Sequence, residues 1–196
     1  MSLGLFTVDD QNHLWFDMDC FLSSYVSFRP KHFVLNHGST RTDRILLLHT
    51  GWLEPVHHSA ITLLNGAQPV NQTQVANAVE VAMNTLPANA MAYARVIYWN
   101  GTAFACIALA KDGGANAVQE QSMPLAKGDL GCIVVGDQAA SSSWASTGHE
   151  PVAFRLRTAL EFAATQRMDI RVPEIRQTAQ LDRCVRSWAY PTELIT

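Results

Sequence analysis

Apolar and polar positions along this chain change period several times, and the changes mark out its elements. Apolar runs at Leu3–Val8 and His13–Phe16 flank the polar turn Asp9-Asp10-Gln11-Asn12, which predicts two strands joined by a turn. From Asp17 to Phe28 the period is mixed. Phe21, Leu22, Tyr25 and Val26 recur at helical spacing, but the segment is rich in Ser and β formers. His32–Asn36 and Arg44–His49 predict strands around a loop at 38–43. Trp52–Gln68 carries a short helix or strand near Ser59–Leu64, closed by Asn65-Gly66.

The pattern then becomes clear. Val75, Ala78, Val79, Ala82, Met83 and Leu86 share one helical face, so a helix is predicted near 71–86, opened by Asn71 and stopped by Pro87. Tyr93–Trp99 and Thr102–Ala110 are β-rich runs about Asn100-Gly101. That is the strongest short hairpin signal, and a two-residue turn there needs positive φ at both central residues. A polar strand is expected near Val118–Met123. Leu130–Val135 is short and continuously apolar, which predicts a strand covered on both faces. Ser141–Gly148 is expected to be a small-residue loop. Helices follow near 150–167 and 174–188, the second with Ile175, Leu181, Val185 and Trp188 as its apolar face. The fold class expected is α/β or α+β. It is one mixed domain over 1–196, whose central sheet holds the 93–110 hairpin and the 130–135 strand.

Composition narrows the function classes. With 48% hydrophobic residues, the 196-residue chain can build a sizeable core without staples. A formal net charge of −3 argues against bulk-charge binding of nucleic acid or an anionic membrane. Cys20, Cys106, Cys132 and Cys184 lie far apart with no CxxC pair, so reduced thiols are expected. With no leader or membrane-length apolar run, the sequence reads as a soluble, cytoplasmic protein of bacterial style.

Two segments hold candidate chemistry. His32, His37, His49, His57 and His58 gather five of the seven histidines into one interval. His37, His49 and His57 are the metal-ligand candidates, for zinc, iron or manganese. Adjacent His57 and His58 would point oppositely on a strand, and there is no HExxH. The second segment is the 136–149 loop. Asp137 and His149 are base candidates and Ser142 the nucleophile candidate, at the C-terminal end of a predicted strand where α/β proteins place sites. No GxSxG elbow or phosphate loop accompanies them.

Two short stretches resemble known families. Asp17-Met18-Asp19-Cys20-Phe21 resembles the metal-binding first strand of Y-family DNA polymerases, but no downstream Asp-Glu pair completes that site and the chain is too short for that architecture. Asp17 and Asp19 therefore read as turn residues. Gly128–Gly136 resembles the strand after the nucleophile helix in ketoacyl synthases and other thiolase-fold proteins. That resemblance implies a catalytically inactive relative, because no nucleophilic cysteine precedes Gly128 in a small-residue turn. No complete catalytic constellation is present, so the leading expectation is a binding or accessory protein. It would act on an unidentified protein or small molecule, with homo-oligomerisation compatible with a free sheet edge. A hydrolase or transferase on the 136–149 loop, assisted by the histidines, is the alternative.

Overall fold

The computed structural model describes residues 3–18, 21–22, 27–28, 32–36, 43–51, 54–66, 68–114, 116–134 and 137–166. In chain order the strands and helices are β1 (Gly4–Val8), β2 (Leu14–Met18), β3 (Phe21–Leu22), β4 (Ser27–Phe28), β5 (His32–Leu35), β6 (Ile45–Gly51), α1 (Glu54–Leu64) and α2 (Gln72–Asn84). They continue with β7 (Met91–Trp99), β8 (Phe104–Asp112), β9 (Val118–Gln119), β10 (Met123–Pro124), β11 (Gly131–Cys132), α3 (Gln138–Ser146) and α4 (Val152–Gln166). Helices combine with antiparallel strands, an α+β arrangement. Two compact units emerge, one built from 3–28 and 127–166, the other from 32–126.

The first unit holds an antiparallel sheet in the order β11-β1-β2, and β3 pairs with β4 separately. Alternation along β1 puts Leu3 and Leu5 on one face, where they share a core with Ala140, Trp144, Leu156, Ala159, Leu160 and Ala163 of α3 and α4. The β1–β2 turn is held by one carboxylate. Asp9 Oδ1 accepts the amides of Gln11 (2.9 Å) and His13 (2.8 Å). Its Oδ2 accepts the Trp15 indole N–H at 2.8 Å and lies 3.1 Å from His13 Nδ1. Asn12 takes the left-handed conformation that closes the turn (φ 64°), which Asn tolerates better than most residues.

In the second unit the sheet order is β10-β8-β7-β6-β5, with β9 also paired to β8. Phe33, Leu35, Leu47, Val96, Ile107 and Leu109 bury one face in a core shared with Val56 and Ala60 of α1 and Val75, Val79 and Met83 of α2. The helix expected near 71–86 is α2. Asn71 and Gln74 form a reciprocal capping box at its start, and Thr85 caps its end. The expected hairpin is present, with Trp99 opposite Phe104. Its loop, however, spans four residues, and only Gly101 has positive φ (102°). Asn100 contributes through its side chain instead, whose Oδ1 accepts the amides of Thr102 and Ala103 and the Thr102 hydroxyl, each at 3.0 Å.

Several expectations are corrected. Of the expected 130–135 strand, Gly131–Cys132 is a strand and pairs with β1, not with the 93–110 hairpin, and Val135 lies outside the described residues. Leu130 and Cys132 pack on the α3–α4 core. Ile133 N still donates to Gly4 O (3.0 Å), and Asp137 then caps a new helix. Gly131 is required at its position because a Cβ there would occupy the Phe6 ring. The Ser-rich 141–148 loop is largely α3. Its small Ala and Ser residues sustain a helix once Asp137 caps it. The expected 118–123 strand is split into β9 and β10, and Asp17 is a buried residue of β2, not a turn residue. The 150–167 helix is α4, in the first unit. The predicted helix at 174–188 lies outside the described residues. Among the described residues, no helix is long and apolar enough to cross a membrane.

Candidate functional site

The structure places the three residues of the 136–149 candidate along α3. Asp137 is its N-cap, with Oδ1 accepting the Ala140 amide at 2.9 Å and its carbonyl accepting the Ser141 amide and hydroxyl, each at 3.0 Å. Ser142 is exposed on the helix. His149 lies beyond the far end, its side chain 78% exposed and its Nε2 3.2 Å from Glu150 Oε1. Nine helical residues separate Asp137 from that end, a rise of about 13 Å. Asp137 and His149 are therefore not brought together at one serine.

The described metal-ligand candidates sit on separate elements. His37 lies outside the described residues. His49 is buried in β6, on the sheet face that α1 and α2 cover, with its ring stacked on Phe33 (centroids 5.7 Å apart, 9° between planes). His57 is in α1. His32, at the start of β5, lies on the opposite face from Phe33, and burial pushes its pKa down to about 4. Among the described residues, no group of three His, Cys, Asp or Glu could hold a metal ion.

Sequence inspection missed the polar groups within the second unit's strands. Directly paired residues share a sheet face. Tyr93, Arg95 and Ile97 of β7 therefore share a face with Ala110, Ala108 and Cys106 of β8, the face turned away from the α1–α2 core. The face continues outward to Val118 of β9, opposite Ala110, and Met123 of β10, opposite Cys106. Glu120 follows next to Ala108, whose carbonyl accepts the Glu120 amide at 2.9 Å. Burial falls steeply along this direction. Arg95 is 8% exposed, Ala108 and Ala110 are half-buried, and Val118 and Met123 are 62% and 60% exposed. The signal available in the sequence was one charge inside the apolar run of β7.

Burial pushes the Cys106 thiol up to about 12, with Arg95 opposing the shift and Glu120 adding to it, so it is not a nucleophile at neutral pH. Burial also raises the Tyr93 phenol, as does its hydrogen bond with Asp112. Arg95 Nη1 donates to the Ala94 carbonyl at 3.0 Å. No carboxylate lies within ion-pair distance of its guanidinium among the described residues.

No family model matches the sequence, and no curated protein matches it. Solved structures do resemble the fold. The chain is similar to Anbu (ancestral beta-subunit) from Yersinia bercovieri, with 10% identity and a TM-score of 0.57 over 87% of this chain and 76% of that one. It is also similar to an Anbu (Gly-1) mutant from Hyphomicrobium sp. strain MC1, with 10% identity and a TM-score of 0.54 over 88% and 78%. At this identity the likeness is one of fold.

Proposed function

We propose that this chain is a subunit-type binding protein that works by associating with further copies of itself. The observation that carries this is the set of large apolar side chains left in solvent. Phe154 and Phe162, two turns apart on α4, are 52% and 44% exposed. Large apolar side chains in solvent mark association surfaces when they cluster. The fold likeness to Anbu (ancestral beta-subunit) from Yersinia bercovieri supports the choice of a second copy as the occupant. A hydrolase on the 136–149 segment is less favoured, because Asp137 caps a helix and His149 pairs outward with Glu150. A cytoplasmic setting belongs to the same proposal and is supported by the unbridged thiol of buried Cys106.

Sedimentation velocity and native mass spectrometry of the full chain test it. The expected wild-type species is a multiple of 21.6 kDa at tens of micromolar, and a Phe154→Asp/Phe162→Asp double variant shifts toward the monomer. A wild-type protein that stays monomeric across that range overturns the proposal.

A further inference from the structure

The side of α4 away from the first unit's core carries a pattern that is complementary to itself. Leu156, Ala159, Leu160 and Ala163 form the buried stripe of the helix. Phe154, Thr158 and Phe162 follow one another at i, i+4 spacing on the opposite side, with the two rings exposed and Thr158 half-buried between them. Phe154 and Phe162 are therefore about 12 Å apart along the helix, with the short threonine midway. An ion pair flanks this stripe. Arg157 Nε donates to Glu161 Oε1 at 3.0 Å, and the two side chains are 37% and 58% exposed.

A second copy laid antiparallel across this stripe, with a two-fold axis at Thr158, meets it with its own complement. The axis sets Phe154 of each copy opposite Phe162 of the other, and the small threonines let the helices approach where they cross. It also keeps Arg157 and Glu161 on the same flank in both copies. Arg157 lies one residue before the axis and Glu161 three residues after it. Arg157 of one copy therefore falls about 3 Å along the helix direction from Glu161 of the other, within reach of two long side chains. The intrachain contact engages Nε and Oε1, while a guanidinium carries five N–H donors and a carboxylate has two oxygens, so both groups can serve a second partner. Parallel packing would instead set arginine beside arginine and glutamate beside glutamate, which like-charge repulsion disfavours.

We propose that two copies of this chain pair through α4, packed antiparallel about a two-fold axis at Thr158, with Phe154 of each on Phe162 of the other and Arg157 of each paired to Glu161 of the other. This rests on the self-association reading and adds to it the orientation and register of the contact. The aromatic rings supply the attraction, and the charges reject the parallel and slipped arrangements.

Charge reversal in the full chain tests the pairing by sedimentation velocity, with circular dichroism confirming that each variant is folded. Arg157→Glu sets carboxylate against carboxylate at both symmetric contacts, and Glu161→Arg sets guanidinium against guanidinium. Each alone is expected to weaken the dimer about tenfold or more. Mixing the two single variants restores opposite charges at both contacts, so a heterodimer is expected where neither variant dimerises alone. The double variant Arg157→Glu/Glu161→Arg restores them within one chain and is expected to associate like the wild type. A pair that serves only its own helix predicts no recovery on mixing, because each single variant keeps its like charges in the same helix. If the wild type associates but the single variants dimerise unchanged, or their mixture does not recover, this pairing is overturned and self-association stands. A wild type that stays monomeric overturns both. A lower Tm for Phe154→Asp/Phe162→Asp with no change in mass would then assign this face to the chain's own residues after Gln166.

Discussion

Removing the Asn36 side chain should cost the second unit three hydrogen bonds at once. Asn36 follows β5 in the left-handed conformation, φ 59°. Its Nδ2 donates to the carbonyls of Asp43 (2.8 Å) and Val70 (2.7 Å), and its Oδ1 accepts the Val70 amide at 3.0 Å. One amide therefore ties the end of β5 to the start of β6 and to the residue just before the Asn71 cap of α2. Asn suits the place for two separate reasons: it tolerates positive φ, and it offers donors and an acceptor on one short side chain.

The two reasons can be measured apart. Each hydrogen bond contributes about 1 kcal/mol net, and two of these are partly buried and the one to Asp43 exposed, so losing all three costs about 2–3 kcal/mol. Asn36→Gly removes the bonds but keeps the backbone at ease, and is expected to lose about that amount. Asn36→Ala adds left-handed strain, offset in part by the lower entropy of its unfolded chain, and should be about 1 kcal/mol worse than Gly. Asn36→Asp retains an acceptor for the Val70 amide but sets a carboxylate oxygen against two carbonyls. It should be at least as damaging as Ala at neutral pH and recover partly in acid. Urea denaturation read by tryptophan fluorescence and by circular dichroism gives the three differences, if the two probes coincide. An alanine variant within about 0.5 kcal/mol of wild type, or one more stable than glycine, would refute this account of the joint.

Three further outcomes are expected. Gly131→Ala forces a methyl into the Phe6 ring, and should cost about 1–3 kcal/mol as overpacking, read as a lowered Tm. Acid should destabilise the protein in two steps. His32 is held near 4, below its ordinary 6.5, so the stability tied to its neutral form is lost as pH falls between those values, and His32→Gln should flatten that limb. Burial alone would raise the Asp9 pKa, but the Trp15 indole, the amides of His13 and Gln11 and the His13 ring together lower it below 3.8. Its contribution is therefore complete above that value and lost below it, and Asp9→Asn should remove this lower step from pH-dependent melting. Lastly, Ellman's reagent at pH 8 should leave buried Cys106 unmodified in the native protein while half-buried Cys132 reacts, which peptide mass mapping distinguishes.

The parts of the fold that could be read in advance are those written in local period. The stripe from Val75 to Met83 gives α2, and two β-rich runs about Asn100-Gly101 give the β7–β8 hairpin. What local period does not encode is the partner. Gly131–Cys132 looks like any short apolar strand, and nothing near it says that it pairs with Leu5 and Phe6. The Ala-Ser run of α3 was illegible for another reason. Those residues fit a loop or a helix, and the decision falls to the Asp137 cap. The same ambiguity made Asp137, Ser142 and His149 look like a constellation, since residues along a loop can converge while those along a helix are held apart.

Arg95 shows the converse failure. A lone charge in an apolar strand adds little to a period count, and the count discards it. Once the strands are in register it stands out as the costly residue of its face, because every other position on β7 from Ala92 to Ile97 buries an apolar or phenolic side chain. A methionine there would fill similar space without placing a charge at a mostly buried position. If the guanidinium only completed the core, Arg95→Met should therefore be as stable as wild type or more so, with no loss elsewhere. If instead its bond to the Ala94 carbonyl holds the strand, a folded Arg95→Met protein should melt below the wild type, and thermal melts of the two proteins separate the outcomes.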